Sequence, residues 1–137
     1  MKKDLLVLFV ISFMLFACAP TETSSLLGTT WKLTAYGTVA NPIPAESDKG
    51  TITFGKDGKL SGLGACNEFS GDYEINGDQI TLSPIDWGSE QCAYPQMNQE
   101  SGVYEILKDG TASFKIEGDI LTITSKNKAL VFERVSE

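Results

Sequence analysis

The sequence contains no histidine. That absence excludes Ser-His-Asp and Cys-His catalysis, imidazole metal sites and histidine-based pH switching. Cations are scarce as well: 11 Lys+Arg stand against 18 Asp+Glu, a formal net charge of -7. Such a chain has no field to attract phosphate backbones, so nucleic-acid binding is not expected. There are only three cysteines, none in a C-x-x-C, and there is no D-x-D-x-D-G calcium loop. The one long apolar run falls short of the roughly 20 residues that cross a bilayer. What remains, 137 residues with 42% hydrophobic and 21% charged content, fits a single compact domain.

The first residues read as an address. Met1-Lys2-Lys3-Asp4 precedes a 13-residue apolar run, 5–17, interrupted only by Ser12, the length and shape of a signal-peptide core. The run closes on Leu15-Phe16-Ala17-Cys18, which resembles the lipobox of bacterial lipoproteins, where the cysteine is acylated and becomes the first mature residue. The expected organisation is a signal peptide over 1–17, a lipidated tether over 18–26 and a folded domain over 27–137. Two acyl chains suffice for stable anchoring, so a lipidated Cys18 ties the domain to a membrane. Ala19 in place of an aspartate points, by the same resemblance, to the outer membrane. Cleavage removes two lysines and one aspartate and leaves the mature chain at -8.

Cys66 and Cys92 are then the only cysteines left. An even pair in an oxidising envelope compartment defaults to one disulfide, closing a loop of 27 residues. The alternative is a redox-active pair, but no Lys or Arg lies beside either cysteine to activate a thiolate. Two cysteines alone are too few ligands for zinc.

Beyond residue 27 short apolar alternations lie between Gly, Asn and Asp turns, the pattern of half-buried strands. Asp57-Gly58, Asn76-Gly77 and Glu117-Gly118-Asp119 are hairpin signals, because primed turns need positive φ. About eight strands are expected in meander order, with Trp31, Phe54, Phe69, Tyr73, Phe114 and Phe132 as core. Residues 73–82 and 114–123 repeat the pattern aromatic-x-Ile-x-Gly-Asp-x-aliphatic-Thr-aliphatic. One segment departs from alternation: Met97, Glu100, Val103, Tyr104 and Leu107 fall at spacings of three and four, and Pro95 precedes them. This predicts a helix over 96–108, covering one opening of the sheet. The proline-bearing stretch 37–50 is long for a hairpin connection and favours polyproline geometry, which makes it a candidate lid or partner-binding arm. The fold class is α+β, mainly β: a small antiparallel barrel-like meander with one helix packed against it.

Several stretches resemble one family. Leu27-Gly28-Thr29-Thr30-Trp31-Lys32-Leu33 opens the domain, followed by Ser61-Gly62-Leu63-Gly64-Ala65-Cys66-Asn67-Glu68-Phe69-Ser70-Gly71-Asp72-Tyr73. Pro95-Gln96-Met97-Asn98-Gln99-Glu100 and the closing Leu130-Val131-Phe132-Glu133-Arg134 complete the set. Together they are similar to the META domain family, which includes HslJ-like bacterial lipoproteins. The sequence departs from that pattern at Ala65, where glycine is usual, and at Glu90-Gln91, where Met-Ala is usual. The resemblance implies a barrel-like β domain, an envelope location and a role in stress tolerance, with no established reaction.

Candidate functional residues are few. Cys66-Asn67-Glu68 places three chemical groups in a row, but neighbours on a strand point to opposite faces, so they converge only across a bulge or turn. Asp72, Asp78, Asp86, Asp109 and Asp119 mostly sit in turns beside glycine, where aspartate serves the backbone. Glu68 and Glu100 make a carboxylate pair only if the fold joins them. Trp87 and Tyr94, near the second cysteine, are the candidate aromatic binding surface. The expected function is non-enzymatic, with no cofactor and no metal. A membrane-tethered domain is expected to bind an envelope protein partner or an apolar ligand and to support stress tolerance. A carboxylate-dependent envelope hydrolase and a purely structural spacer are the alternatives.

Overall fold

The computed structural model describes residues 22–108 and 110–136; the leader, Cys18 and Asp109 lie outside that range. A short helix, α1 (Glu22–Leu26), leads into β1 (Thr30–Thr38), β2 (Asn41–Pro44), β3 (Thr51–Phe54), β4 (Lys59–Leu63), β5 (Glu68–Asn76), β6 (Gln79–Leu82) and β7 (Asp86–Trp87). Helix α2 (Tyr94–Leu107) follows, then β8 (Thr111–Glu117), β9 (Ile120–Ser125) and β10 (Lys128–Arg134). Eight strands, β1, β3, β4, β5, β6, β8, β9 and β10, pair antiparallel in chain order, and β10 returns to β1 to close the ring. Strands β2 and β7 pair with β1 and β5 outside that ring. No helix among the described residues is long and apolar enough to cross a membrane.

Alternation decides which side chains fill the barrel. Trp31, Leu33, Ile52, Phe54, Leu60, Phe69, Tyr73, Phe114, Leu121, Ile123, Leu130 and Phe132 are all buried in one core cluster. Each fully buried large apolar side chain contributes about 1.5–3 kcal/mol, so this interior is the main source of stability. The repeated motif forms two hairpins of matching register: Tyr73 faces Leu82 and Ile75 faces Ile80, as Phe114 faces Ile123 and Ile116 faces Leu121. Gly77 and Gly118 take φ of 64° and 62° at the two turns, a conformation that L side chains avoid. Ala65 is not among the positive-φ residues, which explains why alanine is accepted there.

Two sequence expectations shift. Helix α2 starts at Tyr94, with Pro95 in its first turn, and ends at Leu107. The stretch 37–50 is not a polyproline arm: 41–44 is an edge strand, and Ser47 is buried.

The registers give the barrel two distinct ends. At one, where Thr30 and Arg134 lie, α1 forms the closure: Leu26 is fully buried, Leu27 bridges to Phe54, and Arg134 Nη1 donates to the Ser25 carbonyl at 3.4 Å. At the other, where Thr38 faces Lys128, α2 forms the closure: Val103, Ile106 and Leu107 are buried, and Glu105 ion-pairs with Lys128. Gly102 lies against Tyr36 so tightly that a Cβ there would sit 2.5 Å from Tyr36 Cδ2. The glycine inside this helix is therefore a packing requirement.

Candidate functional site

The helix-closed end is organised around a buried carboxylate. Residues 64–67 form a tight loop between β4 and β5, closed by the Gly64 N–H donating to the Asn67 carbonyl at 2.9 Å. Within it the N–H groups of Ala65, Cys66 and Asn67 turn the same way, and all three donate to Glu100 Oε2, at 2.7, 3.1 and 3.4 Å. Successive backbone donors of this kind make an anion-binding concavity, here filled by a side chain of the protein itself. The other oxygen, Oε1, accepts from Trp87 Nε1 at 2.7 Å. Gly64 is required beneath them, since a Cβ would lie 2.7 Å from Glu100 Oε2. The preceding helix residue grips the same loop: Gln99 Nε2 donates to the Gly64 carbonyl, and its Oε1 accepts from the Ser47 N–H, each at 2.8 Å.

Asn67 holds the second cysteine's segment. Its Oδ1 accepts from the Glu90 N–H at 2.7 Å and its Nδ2 donates to the Glu90 carbonyl at 3.0 Å, a side-chain imitation of strand pairing. The same Nδ2 faces Cys66 Sγ at 3.5 Å and Cys92 Sγ at 3.4 Å. Cys66 and Cys92 are joined as a disulfide with Cα atoms 6.0 Å apart. One carboxylate oxygen of Glu100 and both sulfurs lie within 4.8 Å of one another. While the sulfurs are bonded to each other they offer no thiolate to a metal.

The remaining candidates separate by environment. Trp87 is half-buried, stacked on Phe69 with centroids 4.7 Å apart and edge-on to Tyr104 at 5.5 Å, and its polar atom points inward to Glu100. Tyr94 stands 77% exposed at the start of α2. Glu68 is exposed, whereas Glu100 is buried; Glu68 and Asp86 line an open groove of about 720 Å³ on the barrel's outer wall. Tyr36, beside α2, has its hydroxyl pKa raised by burial and then by the Glu46 carboxylate, though no partner reaches hydrogen-bonding geometry.

Sequence reasoning missed a stripe along the outer face of α2. Met97 is 50% and Tyr104 43% exposed, and with Tyr94 and Ser101 they repeat at spacings of three and four, on the face opposite Val103 and Ile106. Lys108 continues the row, its Nζ 5.5 Å from the Tyr104 ring centroid. The apolar spacing of 96–108 was visible, but it cannot say that the helix is apolar on both sides.

Comparison with known proteins agrees with this architecture. The model of the META domain matches residues 24–137. A protein from Burkholderia xenovorans solved by NMR superimposes with a TM-score of 0.68 at 18% identity, over 84% of this chain and 87% of its own. A second NMR structure gives 0.63 at 24% identity, over 80% and 92%. A DUF4847 family protein from Bacteroides vulgatus ATCC 8482, solved by crystallography, gives 0.59 at 14% identity, over 80% and 94%. No curated protein matches the sequence. The structural likenesses speak to the barrel, and the family model, spanning the barrel, both cysteines and the Glu100 helix, identifies the chain as a member of the META domain family.

Proposed function

We propose that this chain is a non-enzymatic, lipid-anchored envelope domain that engages a protein partner through the outer face of α2 and supports stress tolerance. The observation that carries the reading is that α2 is apolar on both faces while only one is covered by the barrel. Tyr and Met are enriched at protein interfaces, and exposed aromatic clusters are their usual anchors. The polarity of the barrel adds to this. Cys18 lies only four residues before α1 in the chain, so a lipid on it favours an orientation with the α1 end toward the membrane and the α2-bearing end away from it. A mature charge of -8 disfavours a second copy as the partner.

The apolar-ligand version is less well supported, because the barrel interior is filled by its own side chains. The hydrolase alternative looked to Glu68 or Glu100, but Glu100 is taken up by four donors and Glu68 is exposed in the outer groove, whereas a glycosidase acid sits in an apolar pocket. The test is a photo-reactive residue placed at Tyr94 or Met97, compared with one at Ile120 on the other end of the barrel. Cross-linking in intact envelopes to one defined protein from the α2 positions alone is the expected result. Equal cross-linking from both ends, or none, sinks the reading. Palmitate labelling that disappears in Cys18→Ala checks the anchor.

A further inference from the structure

We propose that reduction of the Cys66–Cys92 disulfide creates a binding site for a thiophilic divalent cation such as zinc, with both thiolates and the Glu100 carboxylate as ligands. Beyond Cys18 the sequence offers only two cysteines, but the fold adds a carboxylate 35 residues away in the chain from Ala65 and within 4.8 Å of both sulfurs. Four features prepare the cluster. Glu100 is fixed by four donors, three backbone N–H groups on Oε2 and the Trp87 N–H on Oε1, so the carboxylate is already oriented beside the two sulfurs. Ligating carboxylates are held in this way in metal sites. Asn67 Nδ2 faces both sulfurs and supplies a donor to thiolates. The two Asn67–Glu90 hydrogen bonds do not depend on the disulfide, so they keep the segment carrying Cys92 in place once it is cut. Finally, both cysteines are half-exposed, which admits a reductant and leaves a fourth position for water, as in open zinc sites.

The chemistry balances with a dithiol as reductant. The dithiol closes to its own disulfide, and its two electrons and two protons pass to Cys66 and Cys92 as two thiols. Cation binding then releases both thiol protons to solvent and forms two sulfur–metal bonds and one oxygen–metal bond. The site is thus closed in the oxidised protein and open in the reduced one. The inference stands apart from the partner reading, since α2's outer face takes no part in it.

The test is titration of the purified full chain with Co(II) after reduction by dithiothreitol and anaerobic desalting. One equivalent is expected to give a thiolate-to-cobalt charge-transfer band, absent from the oxidised protein and from Cys66→Ser and Cys92→Ser. Asn67→Ala is expected to bind about 10–100-fold more weakly, the usual effect of losing a group that supports the ligands. Because Glu100 variants lose structural bonds, its part is read in the wild type, as a zinc-induced shift of the Glu100 carboxyl carbon in NMR. No band, a band that survives Cys92→Ser, an unmoved Glu100 signal, or a reduced chain that loses its circular dichroism spectrum each overturns the proposal.

Discussion

Replacing Glu100 by glutamine changes one atom and tests whether the carboxylate clasp holds the helix-closed end together. A carboxylate offers acceptors on both oxygens, and here both are in use: Oε2 takes three backbone N–H groups and Oε1 takes the Trp87 indole. An amide has one accepting oxygen and one donating nitrogen. With its oxygen toward the loop, the Gln NH₂ opposes Trp87 Nε1–H; flipped, it opposes three backbone donors. Hydrogen bonds to a charged group contribute about 1.5–3 kcal/mol each, and breaking a buried charged network costs about 3–5 kcal/mol. The Ala65 and Asn67 bonds are buried and the Cys66 and Trp87 bonds partly so, which lets water soften the loss. The expected cost of Glu100→Gln is therefore about 3 kcal/mol and that of Glu100→Ala about 4 kcal/mol. For a domain of this size that lowers Tm by about 12–20 °C. Thermal unfolding followed by circular dichroism reads it directly. A Glu100→Gln protein melting within about 3 °C of wild type would refute the clasp as a stabilising unit.

Three further outcomes follow from the same structure. Removing the disulfide with Cys66→Ala and Cys92→Ala is expected to cost about 3 kcal/mol, seen as a lower urea midpoint, because a 26-residue separation closes a long loop. Asn67 keeps that figure from rising, since its two bonds to Glu90 close nearly the same loop. Gly102→Ala gains helix propensity of about 1 kcal/mol but drives a Cβ into the buried Tyr36 ring, so destabilisation of about 1–2 kcal/mol is expected in urea. Tyr36 and Tyr73 both have raised hydroxyl pKa values, each mainly from burial, with Glu46 and Asp57 adding. The folded state holds these protons more tightly than the unfolded chain. Their contribution is thus complete below about pH 10 and lost as pH rises through the folded values. A Tm that falls above about pH 10, less steeply in Tyr36→Phe and Tyr73→Phe, is the expected result.

The turns were the most legible part of the fold. Gly58, Gly77 and Gly118 announced hairpins and adopt positive φ there, and the alternation around them named the core. The paired motif disclosed two hairpins of equal register because turn chemistry and side-chain parity are both local. The Glu100 clasp was not legible for the opposite reason. Its donors are backbone N–H groups of a loop some 35 residues earlier, and a backbone donor has no signature in the residue types. A glutamate in a helix otherwise reads as a solvated charge. Trp87 was read as candidate binding surface because its exposure depends on where α2 lies, and the structure places its nitrogen against that helix. The proline-bearing stretch was misread because missing donors argue against a strand only when both edges are paired.

That last point bears on how the domain behaves among its neighbours. In β2, Thr38 faces Asn41 and Tyr36 faces Ile43, while Pro42 and Pro44 fall on the alternate pairs. Prolines cannot donate, so the hydrogen-bonded pairs are those of Asn41 and Ile43, and both ring nitrogens look outward. The outer edge of β2 thus presents carbonyls and pyrrolidine rings where another strand would need amide donors. Crowded on a surface, such domains can collide edge to edge without zipping into a shared sheet.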